Sequence, residues 1–356
     1  MRFTISCLTL CVLVLILPVS SQPDLSISGY LDTDVWTDFS GNYFTNSELD
    51  LGAEFIFSDN VSANLYVTVN SDAYAPSGGR IPAGQGDPSE RWLQVNIDGF
   101  DVTYASPYGT FSVGDLVYQF GTFDYYFYKR RSMITPESFT RGLSYSLDLG
   151  SVTQELILGV ADVDYNTVDA IGVSSIGINE NHSLSLAYGI RGSALEDFSG
   201  FNLFGGAEYN GSFGMLDIKA DIGFTNYGAE DRYNVLTLLV EPYMEMANFY
   251  TAFAFYRLFD FDEINSPESP LFGIEDEMFF YFEPGYAFND VVAFGLPIEY
   301  HWFVLDDDDD NEVWLVPTFY VFPADGVEWW IWGQAAFPTN SEDPGYALGM
   351  EIIVSF

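Results

Sequence analysis

The sequence predicts an all-β chain: a transmembrane antiparallel up-and-down β-barrel of about 16–18 strands with both termini on the periplasmic side. Three observations carry that expectation. Apolar and polar residues alternate with period two along most of the chain, as in strands with one greasy and one wet face. Tight turns and longer polar links alternate as connections, as they must when every second connection lies on the same side of a membrane. After residue 21 no apolar run is long enough for a membrane helix, and the nearest, Val235 to Val240, ends at Glu241-Pro242.

Residues 1–21 read as a secretory signal peptide. Arg2 is the positive end, Leu8 to Leu17 the apolar run, and Pro18 with Val19-Ser20-Ser21 the approach to a cleavage site before Gln22. A membrane helix would need about 20 apolar residues, and this run stops short. Cys7 and Cys11 both lie inside the peptide, so the mature chain would have no disulfide, thiolate metal site or cysteine nucleophile. Residues 22–356 are expected as one barrel domain.

Several strands alternate cleanly. Ala63, Leu65, Val67 and Val69 oppose Asn64, Tyr66, Thr68 and Asn70, and Leu143, Tyr145, Leu147 and Leu149 oppose Gly142, Ser144, Ser146 and Asp148. Leu184, Leu186, Tyr188 and Ile190 face away from Ser183, Ser185, Ala187, Gly189 and Arg191. From 216 to 224 Leu216, Ile218, Ala220, Ile222 and Phe224 alternate with Asp217, Lys219, Asp221 and Gly223. Val292, Phe294, Leu296, Ile298, Tyr300 and Trp302 form a further apolar face. Residues 248–259 and 312–322 carry large aromatics at both parities, which leaves their facing open.

Turn chemistry punctuates these runs at 58–60, 106–109, 150–151, 179–181, 210–212, 289–290 and 323–326, where Asn, Asp, Gly, Ser and Pro collect. Longer links are expected at 40–46, 71–90, 121–140, 164–170, 192–200, 226–232, 260–275, 306–311 and 338–344. The last strand places Tyr346, Leu348, Met350, Ile352, Val354 and Phe356 on one face. Closure is the physical reason for a barrel: in hydrocarbon an unpaired backbone group is costly, so strands survive there only without edges.

Composition excludes two classes. With 11 Lys and Arg against 52 Asp and Glu the net charge is −41, which argues against a nucleic-acid partner. A disordered acidic chain would be poor in apolar residues, whereas this one is 48% hydrophobic and 18% aromatic. The aromatic surplus suits the girdles that Tyr, Trp and Phe form at membrane surfaces.

The stretch Asp101-Val102-Thr103-Tyr104-Ala105-Ser106-Pro107-Tyr108-Gly109-Thr110-Phe111-Ser112-Val113-Gly114-Asp115 resembles the strand, tight turn, strand unit of Gram-negative porins, as does the terminal Phe356. General porins often place Arg where Asp115 stands. The resemblance implies an outer-membrane location, a possible homotrimer, contact with lipid and lipopolysaccharide, and a long loop folding into the barrel. Residues 121–140 occupy that loop's place. Of the 11 basic residues, Lys129, Arg130, Arg131 and Arg141 fall in or beside it, and opposite carboxylates they would create a transverse field at a constriction. The other reading is a basic patch at the rim, touching headgroups.

With the apolar face outward, the inward set includes Asp32, Asp34, Asp50, Glu54, Asp148, Glu208, Asp217, Asp221, Glu283, Glu299 and Glu351, opposed by Lys219 and Arg191. Carboxylates lining a wet pore attract cations, so cation preference is expected. Strand-end positions in bulk water are the plain alternative, since salt screens them over about 8 Å. Inward Tyr30, Trp36, Tyr66, Tyr281, Trp330 and Trp332 raise sugar passage as a further reading; filling the lumen is the simpler role.

Other chemistries find little support. Asp306 to Asp310 lacks the Gly and Glu spacing of a calcium loop and reads as a hydrated acidic loop. His182 and His301 have no triad signature, although His301 shares a strand face with Glu299. The Gly-rich 77–86 stretch precedes no helix and makes no phosphate cradle. No enzyme and no cofactor is expected. The leading function is passive passage of small hydrophilic solutes and cations; a plugged structural or adhesive barrel and a soluble secreted β-sandwich binding protein stay open.

Overall fold

The structure, a computed structural model, describes residues 23–39, 43–70, 94–118, 120–123, 125, 131–132, 138–162, 167–193, 202–227, 233–260, 276–305, 308–339 and 343–356. Its strand segments are β1 (Asp24–Thr37), β2 (Tyr43–Ser58), β3 (Val61–Asn70), β4 (Gln94–Ser106), β5 (Gly109–Tyr118), β6 (Thr122–Phe123), β7 (Arg131–Ser132), β8 (Ser138–Asp148), β9 (Val152–Asp162), β10 (Thr167–Asn179) and β11 (His182–Ser193). They continue as β12 (Asn202–Phe213), β13 (Leu216–Tyr227), β14 (Tyr233–Met246), β15 (Phe249–Asp260), β16 (Asp276–Ala287), β17 (Val292–Gly295), β18 (Ile298–Leu305), β19 (Asp308–Leu315), β20 (Thr318–Ala324), β21 (Val327–Pro338) and β22 (Gly345–Ser355). The expected signal peptide, residues 1–21, and the expected 71–90 link lie outside the described residues.

β6 and β7 pair only with each other; the remaining segments form one antiparallel sheet. β17 and β18 are halves of one strand, as are β19 and β20, so the wall has 18 strands. It closes because β1 pairs with β22 as well as β2, from Tyr30↔Ser355 to Thr37↔Leu348. Beyond that ladder Gly29 and Phe356 exchange both backbone bonds, at 2.9 and 3.0 Å. Both termini therefore meet on the side of the short turns, the periplasmic side in this architecture.

Register carries the facing from strand to strand. Phe55↔Ala63 and Ala63↔Val102 continue one face, while Glu54↔Asn64 and Asn64↔Asp101 continue the other. Ile27, Ile97, Leu158, Ile190, Phe224, Phe253, Phe280, Ile331 and Leu348 all fall on the first face and are exposed. A soluble sandwich would bury such a band; bare and continuous around a closed sheet, it is the belt of a membrane barrel. Towards the short turns aromatics pair on this face, Phe111 with Tyr145 at 4.7 Å and Phe249 with Tyr286 at 4.9 Å, as a girdle does.

The structure settles the two segments of open facing. On β15, Tyr250, Ala252, Ala254, Tyr256 and Leu258 point inward and Phe253, Phe255 and Phe259 outward; Trp314, Thr318 and Tyr320 point inward from β19 and β20. Other boundaries move. The turn expected at 210–212 lies at Gly214-Met215, because Gly214 adopts φ 75 and Asn210 pairs with Lys219 inside the ladder. An Ala247-Asn248 turn, with Ala247 at φ 54, has no sequence signal. The expected 306–311 loop shrinks, since β18 reaches Leu305 and β19 starts at Asp308.

Pro297 and Pro317 interrupt two strands because proline has no N–H to donate. Their carbonyls still accept, from Val316 N at 2.8 Å and Gly333 N at 3.0 Å, so the wall stays closed.

One glycine steers the chain inward. At Gly114 φ is 144, a Cβ would lie 2.2 Å from Phe100 O, and the ladder with β4 ends there while that with β8 continues. Phe100 N donates instead to the Asp115 carboxylate at 3.2 Å. Gly114→Ala should cost about 1–3 kcal/mol through a strained backbone, read as a lower urea midpoint for the folded barrel in micelles. An unchanged midpoint would refute this account.

Candidate functional site

The inner face of the barrel is the candidate site. β1 to β4 line it with half-buried carboxylates, Asp32 and Asp34 from β1, Asp50 and Glu54 from β2 and Asp98 from β4, and with the buried Asp101 of β4. Hydroxyl and amide groups stitch them together. Thr68 Oγ1 lies 2.7 Å from Asp50 Oδ1 and 2.5 Å from Asp98 Oδ2, and Asn64 Nδ2 donates to Asp101 Oδ1 at 3.0 Å. Neither 24–70 nor 94–106 contains a Lys or Arg. Tyr30, Trp36 and Tyr66 share this inward face, with Tyr66 38% exposed.

The register puts the remaining expected acids on the same face, in three settings. Glu208 sits directly across from Asp221, and Lys219 Nζ approaches Glu241 Oε2 at 2.9 Å and Asp221 Oδ2 at 3.5 Å. Glu283, Glu299 and Glu351 are buried. Glu283 accepts hydroxyls from Tyr250, Tyr281 and Tyr320, and Glu299 lies 3.4 Å from His301 Nε2. Asp148 and Asp217 stand exposed at strand ends beside short turns, where Asp148 accepts from Gly150 N at 2.7 Å. Trp330 and Trp332 also face inward, with Trp332 lying flat over Gly349.

The expected basic constriction is only partly within view. Lys129 and Arg130 lie outside the described residues, and for Arg131 only the backbone pairing with Phe123 is described. Arg141 does not stand on the inward face: it shares the outward parity of Leu143 and Tyr145, with Nε 2.5 Å from Asp115 Oδ1. Period two puts residues 141, 143 and 145 on one side, and that side meets lipid.

Sequence reasoning missed several inward charges. Asp98 and Asp101 have opposite parity, and both face inward because β4 carries a bulge where Tyr66↔Gly99 is followed by Val67↔Ile97. Asp169 falls in a stretch read as a link, yet it is fully buried and holds Arg191 through bonds of 2.7 and 2.8 Å. Glu241 follows an apolar run at both parities, which hides its face.

Past β5 the chain enters the lumen. Leu116 and Phe120 belong to a buried cluster with the inward side chains Ile157, Ile171, Ala187, Phe204, Leu239 and Ala254. Tyr125 sets its ring 5.0 Å from Phe279 and 4.6 Å from Tyr281, and its hydroxyl donates to Glu241. At the short-turn end a cavity of about 460 Å³ opens beside Asn181, Asn210, Asp217, Lys219, Glu241 and Tyr243. Among the described residues no group of three His, Cys, Asp or Glu is disposed to hold a metal ion.

A closed eighteen-strand wall, bare apolar outside and charged within, with chain folded into its bore, has the architecture of an outer-membrane porin. Solved structures share it. The outer-membrane protein OpdK of Pseudomonas aeruginosa, crystallised with vanillate, superposes with TM-score 0.62 at 10% identity over 94% of this chain and 98% of that one. OccAB3 of Acinetobacter baumannii gives 0.61 at 11% identity, covering 94% and 99%. OccK3 (OpdO) of P. aeruginosa gives 0.59 at 13%, covering 94% and 96%. At these identities the likeness establishes the fold. No family model and no curated protein matches the chain.

Proposed function

We propose that the protein is an outer-membrane porin that passes small hydrophilic solutes by diffusion, prefers cations and performs no catalysis. The single observation that carries this reading is the water-accessible inner wall of β1–β4, which presents carboxylates from three strands and no Lys or Arg of its own. Elsewhere on the inner face Arg191 and Lys219 are each tied to carboxylates, so they contribute little free positive potential. A vanillate-like anion, the ligand in the OpdK structure, would meet the same acidic wall at a disadvantage here. Tyr30, Trp36 and Tyr66 supply aromatic surface that would also suit sugars.

In this reading residues 1–21 direct export, the segment 121–140 narrows the pore, and Lys129, Arg130 and Arg131 face carboxylates across it. Lipid and lipopolysaccharide cover the belt. One observation favours the rival plugged barrel: the apolar cluster that fills part of the bore.

Single-channel recording of refolded 22–356 decides between them. Under a salt gradient, stepwise currents reversing towards the potassium potential are expected. Reversal towards chloride would refute the cation preference, and a folded, silent barrel would favour the plug.

A further inference from the structure

The two halves of the inner wall differ in kind. From β9 to β16 the inward positions Ile157, Ile171, Ala187, Phe204, Leu239 and Ala254 are apolar and buried. A greasy wall facing water would forfeit the gain that normally drives burial. Here something covers it: Leu116 and Phe120 at and after the end of β5 join the same cluster, and Tyr125 reaches Phe279, Tyr281 and Glu241 on β16 and β14. Within five residues the chain passes from the wall next to β5 to strands well round the barrel. The inward side chains described on β1–β3 are, by contrast, all partly or fully open.

We infer that the bore is divided lengthwise into a sealed sector against β9–β16 and an open sector against β1–β4, and that Tyr125 sets the width of the open one. The inference rests on the porin reading for its functional meaning, though the division itself does not. Solutes then travel off-axis, along the Asp50–Thr68–Asp98 stitch and past Tyr66, and small cations are what that strip favours. Tyr125 acts by two contacts of different kind. Its ring extends the apolar seal, and its hydroxyl engages Glu241, the carboxylate that also holds Lys219. Tyr125 is thus a specificity-determining residue fixed at both ends, and the seal is static packing.

The chain suits a direct test, because its two cysteines, Cys7 and Cys11, lie in the leader. In refolded 22–356, Asn64→Cys reports the open sector and Ala187→Cys and Ala254→Cys the sealed one, all three near-conservative in size. A membrane-impermeant cationic thiol reagent should modify the cysteine at 64 quickly, and those at 187 and 254 about tenfold more slowly or less, since reaction there waits on local opening. Adding Tyr125→Ala, or separately Phe120→Ala, should speed modification at 254 and enlarge the single-channel conductance. Heat-modifiable migration checks that each variant is folded, and mass spectrometry reads modification without any current. Equal rates at 64 and 254 in the parent would overturn the division. Tyr125→Ala and Phe120→Ala that both leave the rate at 254 and the conductance unchanged would overturn the role of Tyr125. The expected labelling pattern in a barrel that never conducts would uphold the division and sink the porin reading, so the two fail separately.

Discussion

Replacing Arg191 with leucine is expected to cost the barrel about 3–5 kcal/mol, the range for stripping one partner from a buried ion pair. Asp169 is fully buried, and its carboxylate is held by Arg191 Nε at 2.7 Å, Arg191 Nη2 at 2.8 Å and Thr140 Oγ1 at 2.5 Å. Without the guanidinium the carboxylate keeps one hydroxyl and no neutralising charge, in a wall flanked by the buried Ile171. The cost lies in the orphaned charge more than in the lost pair, so Arg191→Leu with Asp169→Leu should recover most of it. Urea unfolding of the single and double variants in micelles separates these contributions. A double variant as unstable as the single one would show that geometry, and not the buried charge, dominates.

The second large effect concerns the outer face. Ile222 lies mid-strand on β13, opposite Ala207 and Leu238, and is 44% exposed. On a soluble protein a half-exposed isoleucine tolerates arginine at little cost. Facing lipid at mid-height, Ile222→Arg should cost about 2–4 kcal/mol, while Phe213→Arg, beside the short turn, should cost about 0–1. The difference between the two positions is the measurement, taken from urea unfolding in bilayer vesicles. Equal small costs would remove the membrane from the account of this face and revive the sandwich.

How far the sequence reached varies from strand to strand for a physical reason. Where one face meets lipid and the other water, as over 183–191 or 216–224, every side chain has a clear preference and the facing can be read directly. Over 312–322 both faces are apolar, because Trp314 and Val316 are buried inside the bore while Phe319 meets lipid. Alternation vanishes there, since the interior is partly a core. The same cause hid Glu241 behind an apolar run, and the β4 bulge broke parity between Asp98 and Asp101. Arg141 shows the opposite limit. Proximity in sequence to Lys129, Arg130 and Arg131 suggested a shared site, yet strand alternation sends it outward to Asp115.

The sequence by itself determined the closed barrel, the side on which both termini lie and the inward parity of most of its acids. These follow from local rules: side-chain period, turn chemistry and the need to satisfy every backbone group in hydrocarbon. Only the tertiary structure decided that Tyr125 meets Phe279, Tyr281 and Glu241, that Asp169 takes Arg191, and that half of the inner wall is sealed. Each is a contact between residues more than 20 positions apart, made through the bore or across strands. Sequence periodicity records which face a side chain prefers, but closure of the sheet chooses what it meets there.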